Sequence, residues 1–392
     1  MKKNRTLFIA SQPFFEKRGS PIRLGFDLLS LSQLGYEVDF ITLPIGEKRE
    51  IPNVRIIRAP NLFFAKKISI GPSPLKLAFD FIIFWMVLWR VIFKRYTIVH
   101  GVEDCGIIAL ICGRIGLAKV IFERHSDPAS YKKSGIVKNA IVKIYTKVER
   151  FVMRHADAVI GTGPGLVKNA AEYGKAARTC LIPDIPSSLT EADPNAVESV
   201  RASYVQDANN ILIGYVGSFA VYQGIDLLFN AIPIVAKQEP RARFVIVGGS
   251  DKEIAERREQ LAKAGCLDSV VFAGFIDPDT LPTHLAALDI LLSPRTSGMN
   301  TPLKLLDYLK AGVAIVATDC EANRLILDKN TAQLTRLTPE SFAEGILHLC
   351  SNPEKRITLT NGGKAILAKQ HNFNFFKESL GKCYEYVLLP KK

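Results

Sequence analysis

The chain has 392 residues, 48% of them hydrophobic, which is too long for one ordinary core and apolar enough to build two. Its formal charge of +13 is one-sided: residues 1–188 hold 29 Lys+Arg against 15 Asp+Glu, a net of +14, and the remainder holds 22 against 23, a net of −1. Such an excess suits an anionic partner, whether a membrane surface, a phosphate or a nucleic acid, as well as a merely soluble basic surface. The seven cysteines (105, 112, 180, 266, 320, 350, 383) include no close pair, which argues against a zinc knuckle or redox motif and fits buried thiols in a reducing cytosol.

The first apolar run, residues 7–10, ends at polar residues and Pro13. It is too short for a signal peptide and reads as a buried strand. Short Val- and Ile-rich runs then alternate with amphipathic segments, the signature of a parallel sheet wrapped by helices. Strands are expected at 6–11, 37–43, 54–58, 97–100, 119–123 and 158–161, with helices near 21–34, 74–92, 104–116, 136–155 and 164–173. The most apolar stretch, FDFIIFWMVLWRVIF (79–93), contains Asp80 and Arg90 and falls short of the about 20 apolar residues that span a bilayer. Two readings remain for it: a helix buried between the sheet and a neighbour, or a helix partly dipped into a membrane interface beside Lys94 and Arg95.

A proline-bearing stretch, LIPDIPSSLTEADPNA (181–196), reads as an interdomain connector. The rhythm then restarts, with strands at 211–217, 243–249, 270–275 and 289–294 and helices at 224–238, 252–265 and 279–288, Pro233 being placed to bend the first of these. Helices at 339–350, 353–370 and 374–388 close the chain. The expected fold is therefore α/β, two tandem doubly wound Rossmann-like domains facing a cleft, with ligands at the carboxyl ends of the strands. The expected boundaries are 1–188 for the first domain and 189–373 for the second.

The chemistry concentrates in SPRTSGMNTPLKLLDYLKAGVAIVAT (293–318). Thr301 is expected as the N-cap of a helix with Pro302 at its first position, ending near Gly312. Lys304 lies in the first turn, where a cation is unfavourable unless an anion docks against the helix amides. Arg295 leaves the preceding strand end and can grip a phosphate with two bonds. Asp307, three residues beyond Lys304, either pairs with it or accepts from a ligand's hydroxyls. An ordinary capped helix with a surface ion pair is the plainer alternative.

Three further stretches raise the same question. GYVGSFAVYQG (214–224) runs a strand through a glycine turn into a helix, and Gly217 with Ser218 lets backbone amides approach an anion. Neither it nor the Gly248–Gly249 pair completes GxGxxG, which weighs against a dinucleotide-dependent dehydrogenase. Gly19, Ser20 and Arg23 stand at another helix start, facing the cleft from the first domain. His125, in FERHSDP, sits at the carboxyl end of a strand, where a structural role and a site role are both open.

Taken together, the GSPIR and GYEVDFIT stretches, GYVGSFAVYQGIDLL, RFVIVGG, VVFAGF, NTPLKLLDYLKAGVAIVATD and NFNFFKESLGKCYEYV resemble family 4 glycosyltransferases of the GT-B fold over nearly the whole chain. The resemblance implies a retaining transferase that moves a sugar from a nucleotide-diphosphate sugar, held by the second domain, to an acceptor on the first. It also implies no cofactor and no metal, and a final helix of about 374–392 that crosses back to the first domain. By position, His125 would lie near the transferred sugar, Arg295 and Lys304 would contact phosphate, and Gly19 and Ser20 would approach it from the other side. Phe275 and Ile276 would offer backbone to the base, and Asp307 would bind the ribose.

The sequence departs from that pattern in two places. The family's paired glutamates fall here on Met299 and Asp307, and its usual basic pair falls on Ser218 and Gln223. The resemblance implies a nucleotide sugar and a sugar acceptor as partners; on charge alone, the basic first half and the apolar helix suit a lipid-linked acceptor and an anionic membrane surface, and no nucleic acid is expected. The implied place is the cytoplasm or the inner face of the cell membrane. A non-catalytic sugar-nucleotide-binding protein and an epimerase of the same architecture are the alternatives.

Overall fold

The computed structural model describes residues 4–389 except 17, 18, 63, 67, 69–72, 128–135, 175–178, 206 and 298–300; the side chains of 136–138, 140 and 141 are also outside the description. Met299, one of the two departures, therefore lies outside the described residues. The chain divides into two compact units, Met1–Asp184 together with Phe373–Lys392, and Ile185–Asn372.

The first unit is a seven-stranded parallel sheet built from β1 (Arg5–Ala10), β2 (Glu37–Thr42), β3 (Val54–Arg58), β4 (Ile98–Val102), β5 (Lys119–Arg124), β6 (Ala158–Gly161) and β7 (Thr179–Leu181). Its order, β3-β2-β1-β4-β5-β6-β7, grows outward in both directions from β1 and β4. Its helices are α1 (Gly19–Gln33), α2 (Pro74–Phe93), α3 (Cys105–Ile115), α4 (Ile136–His155), α5 (Pro164–Tyr173) and the chain's last, α14 (Phe373–Leu388). Continuous apolar strands are what a sheet covered on both faces requires. Accordingly Leu7, Phe8, Ile9 and Ala10 are fully buried, so the first apolar run is the strand its length suggested.

Helix α2 starts where Ser73 accepts from the Lys76 amide at 3.2 Å and Pro74 fills the first turn. It buries Phe79, Ile83, Val87 and Val91 against Leu7, Ile9 and Val99 of the sheet. Its opposite side is exposed, so the buried reading of 79–93 holds for one face only. No helix among the described residues is long and apolar enough to cross a membrane.

The second unit opens with α6 (Pro194–Tyr204), which the connector reading had not anticipated; Asp193 caps it by accepting from the Asn195 amide at 3.0 Å. Six parallel strands follow, β8 (Ile211–Val216), β9 (Ala242–Val247), β10 (Val270–Gly274), β11 (Ile290–Ser293), β12 (Ala314–Thr318) and β13 (Gln333–Thr335), in the order β10-β9-β8-β11-β12-β13. They are covered by α7 (Ile225–Gln238), α8 (Asp251–Lys263), α9 (Leu281–Ala286), α10 (Leu303–Ala311), α11 (Glu321–Arg324), α12 (Pro339–Ser351) and α13 (Pro353–Gln370). Helix α7 runs through Pro233 without interruption. The other elements missed, β7, α11 and β13, have three or four residues each, too few for a period to show.

Gly224 precedes α7 with φ +73°, and a Cβ there would collide with the Pro294 carbonyl. The turn after β8 thus lies directly on the turn after β11. Gly224→Ala combines left-handed strain with that collision and is expected to destabilise this unit by about 1–3 kcal/mol. A denaturation midpoint equal to wild type would show that the two turns are not pressed together.

Candidate functional site

Helix α10 begins one residue later than expected. Pro302 is its cap, in an extended conformation (φ −76°, ψ 100°), no side chain caps it, and the Pro302 carbonyl accepts from the Leu305 amide at 2.9 Å. Thr301 is therefore not the N-cap, a correction that follows from Pro302 taking the cap position itself. At the other end Gly312 stops the helix at φ +68°, as a left-handed closing residue.

Lys304 leaves the first turn of α10 towards the loop after β8. Its Nζ donates to Gln223 Oε1 at 3.0 Å and lies 4.5 Å from the centre of the Tyr215 ring. Gly217, at the end of β8 with φ +152°, keeps that space open: a Cβ there would stand 3.4 Å from Lys304 Nζ and 3.0 Å from Tyr215 Oη. Tyr215 Oη donates to the Ser218 carbonyl at 2.8 Å, fixing the turn while the Ser218 side is exposed. The carbonyl of Gly217 backs onto Gly248, where a Cβ would collide with it. Hence the glycine pair 248–249 serves close packing of two strand ends.

Arg295 follows β11 and is 7% exposed. Its Nε donates to the Ser297 carbonyl at 2.8 Å and its guanidinium carbon lies 5.3 Å from the Tyr222 ring centre. Burial lowers its pKa from the usual arginine value. Burial also brings the Lys304 ammonium down to about 7, and the Arg295 charge adds to the fall. Among the described residues no carboxylate pairs with either cation. Two basic groups with no carboxylate partner among the described residues, beside a glycine turn at a strand end, are an arrangement that an anion would neutralise.

Asp307 points elsewhere. Its Oδ1 accepts from the Ser187 amide at 2.6 Å, and the half-buried carboxyl is pushed up to about 6 by burial, only partly offset by the bonds from Ser187. It lines a small cavity with Ser188, Glu191, Pro278, Leu281 and Lys310. Lys310 Nζ closes the far wall, donating to the Ser188 and Thr190 carbonyls at 3.0 and 2.7 Å. Of the two readings for Asp307, the pairing with Lys304 is absent, because each side chain finds a partner from outside the helix. Phe275 and Ile276 lie past β10, where Gly274 turns at φ +64° and its carbonyl accepts from the Gly248 amide at 2.7 Å. Phe275 is 79% exposed.

In the first unit Gly19 and Ser20 open α1, and no atom stands within 4 Å of a Cβ at Gly19. Arg23 does not face outward as expected. It is 4% exposed, its Nε donating to Glu123 Oε1 at 2.7 Å and its Nη1 to Asp184 Oδ1 at 2.9 Å. Glu123 is the hub. His125 Nε2 lies 2.9 Å from the same Oε1, and His100 Nε2 lies 3.1 Å from Oε2. Burial alone would raise the Glu123 carboxyl, but the Arg23 charge and the bonds from the two histidines hold it well below the usual range.

Asp27, fully buried, shows no hydrogen-bond partner for either oxygen among the described residues; burial and the Glu123 charge push it well above the usual range. Tyr384 of α14 meets His100 Nδ1 at 2.7 Å, and Phe376 lies 4.9 Å under the Arg23 guanidinium. These contacts fasten α14 to the first unit.

His125 Nδ1 is buried and has no hydrogen-bond partner among the described residues. Asp27, Glu123 and His125 also bring ligand atoms within 4.8 Å of one another. Arg23 already donates to Glu123 Oε1, which makes the guanidinium the resident cation beside these groups. The sequence signal for this hub was Glu123 itself, a carboxylate inside the strand KVIFER, since a buried charge demands partners.

Two domain models match the chain: "Glycosyltransferase Family 4" over residues 28–184 and "Glycosyl transferases group 1" over residues 210–352. A 2-deoxystreptamine glucosyltransferase of Streptomyces kanamyceticus is 29% identical over 184 residues, 46% of this chain and 47% of that one. A phosphatidyl-myo-inositol mannosyltransferase of Mycobacterium tuberculosis is 24% identical over 172 residues, 42% of this chain and 44% of that one. The chain thus spans about half the length of these curated relatives. The crystal structure of Anabaena HepE in complex with UDP superposes with a TM-score of 0.74 at 16% identity, covering 98% of this chain and 99% of that one. The two parallel-sheet units have the GT-B fold of these structural neighbours, and a glycosyltransferase domain model matches in each of them, over residues 28–184 and 210–352.

Proposed function

We propose that the protein transfers a sugar from a nucleotide-diphosphate sugar to an acceptor, with retention of anomeric configuration and without a metal. The observation that carries this reading is the pair Lys304 and Arg295, two cations with no carboxylate partner among the described residues, set beside the Gly217 turn. A departing diphosphate supplies the charge they lack, and they stabilise it as it develops. Gln223, where the resemblance leads one to expect a cation, holds Lys304 in place instead. In this reading Thr301, Ser218 and the backbone at Phe275 and Ile276 line the nucleotide, and Asp307 contacts its ribose once the Ser187 amide yields. Within the first unit, Gly19, Ser20 and His125 remain the candidate ligand contacts that the resemblance implies.

The acceptor is proposed as lipid-linked or as an envelope polysaccharide precursor. The relative that acts on phosphatidyl-myo-inositol supports that choice, as does the +14 charge of residues 1–188. A thermal-shift screen of the purified chain against UDP, GDP and their sugars tests the donor. A rise with one nucleoside diphosphate and none with its nucleoside supports the diphosphate site, and no rise with any of them removes it. Proton NMR of the product's anomeric signal then reads retention or inversion.

The Lys304 pKa of about 7 gives this site a pH signature. A bound diphosphate favours the charged ammonium, so above pH 7 binding must take up a proton. Affinity should fall as pH rises above 7, by up to about ten-fold per pH unit. Calorimetry in buffers of different ionisation enthalpy would show the proton uptake. A pH-independent affinity between 6 and 9 would mean that Lys304 is not at the phosphate.

A further inference from the structure

The outward side of α2 carries Leu77, Phe81, Trp85, Trp89 and Phe93 at four-residue spacing, with Phe81, Trp85, Trp89 and Phe93 each more than half exposed. Next to α2 packs α3, and next to α3 packs α4. They continue the apolar side with exposed Ile111 and Ile115, then Ile144, Val148 and Phe151. Exposed cations accompany it: Arg95, Lys143, Lys147 and Arg154, and Arg114, which pairs with Asp157 at 3.1 Å. Among the described residues, no exposed carboxylate lies on the three helices; Asp80 is half-buried, and Glu149 pairs with Arg124 at 3.1 Å. A monomer rarely leaves so much apolar surface uncovered without a partner for it.

We propose that this face of α2, α3 and α4 docks on an anionic lipid bilayer, with α2 lying in the plane of the interface. The inference stands on the surface alone, apart from the sugar-transfer reading. Twenty residues of helix offer a stripe about 30 Å long. Tryptophan beside phenylalanine and leucine, flanked by lysine and arginine, is the composition of a helix that lies on a membrane rather than through it. A second copy of the same face is disfavoured, because a two-fold contact would set these cations against their equals with no carboxylate between them.

Trp85 and Trp89 are the only two tryptophans of the chain, so the emission of the full-length protein reports directly on this face. With phosphatidylcholine vesicles containing phosphatidylglycerol, emission should shift to the blue and brominated lipid should quench it, both weakening at high salt or without the anionic lipid. Lys143→Gln with Lys147→Gln should lower partitioning by about thirty-fold. Trp85→Ser with Trp89→Ser should abolish co-sedimentation yet keep the nucleotide-induced thermal shift, which separates this proposal from the proposed activity. Unchanged emission, sedimentation without quenching, or a concentration-dependent dimer that shields both tryptophans in the absence of lipid would each overturn it.

Discussion

Lys304→Ala is expected to lower turnover by about 10²–10³-fold, the effect of removing one preorganised contact to a developing anion, about 2.7–4 kcal/mol. The loss should fall on turnover more than on acceptor KM, because the ammonium acts where charge appears on the leaving group. Lys304→Arg should recover only part of it, since a planar guanidinium cannot take the place of a compact ammonium between Gln223 and the Tyr215 ring. Initial rates with a nucleotide sugar and acceptor measure this. A Lys304→Ala enzyme within a factor of two of wild type would place the leaving group elsewhere.

Arg23→Ala is expected to be the most damaging single change to the first unit. It leaves Glu123, which is fully buried, without its guanidinium partner, beside Asp27. Removing one member of a buried pair costs about 3–5 kcal/mol. The loss should appear as faster hydrogen exchange in α1 and β5, with protection in β8–β13 unchanged because those strands belong to the other unit. Adding Glu123→Leu to Arg23→Ala should restore part of the protection by removing the orphaned charge. Full protection in the single variant would mean that the histidines alone can hold Glu123.

The alternation of strands and helices was legible because strands buried on both faces read as unbroken apolar runs, as in β1 and β8. What stayed hidden is long-range. Lys304 and Asp307 sit three residues apart and look like a surface pair, yet Lys304 is held from 81 residues away by Gln223 and Asp307 from 120 residues away by Ser187. No local pattern encodes such partners. Arg23 read as a site residue because helix starts attract anions, whereas Glu123, 100 residues downstream, draws it inward. The apolar stretch of α2 was visible as composition, but only its placement separated a buried side from an exposed one. Gln223 was marked as a missing cation, and the structure makes it the acceptor that aims the cation from α10.

A crystal structure of the protein with whichever of UDP or GDP raises its melting temperature more is the decisive measurement. The diphosphate is expected within hydrogen-bonding distance of Lys304 Nζ and the Arg295 guanidinium, beside the Gly217 turn. A diphosphate bound instead at the Asp307–Lys310 cavity, or away from α10 altogether, would contradict the assignment of these two cations to the leaving group.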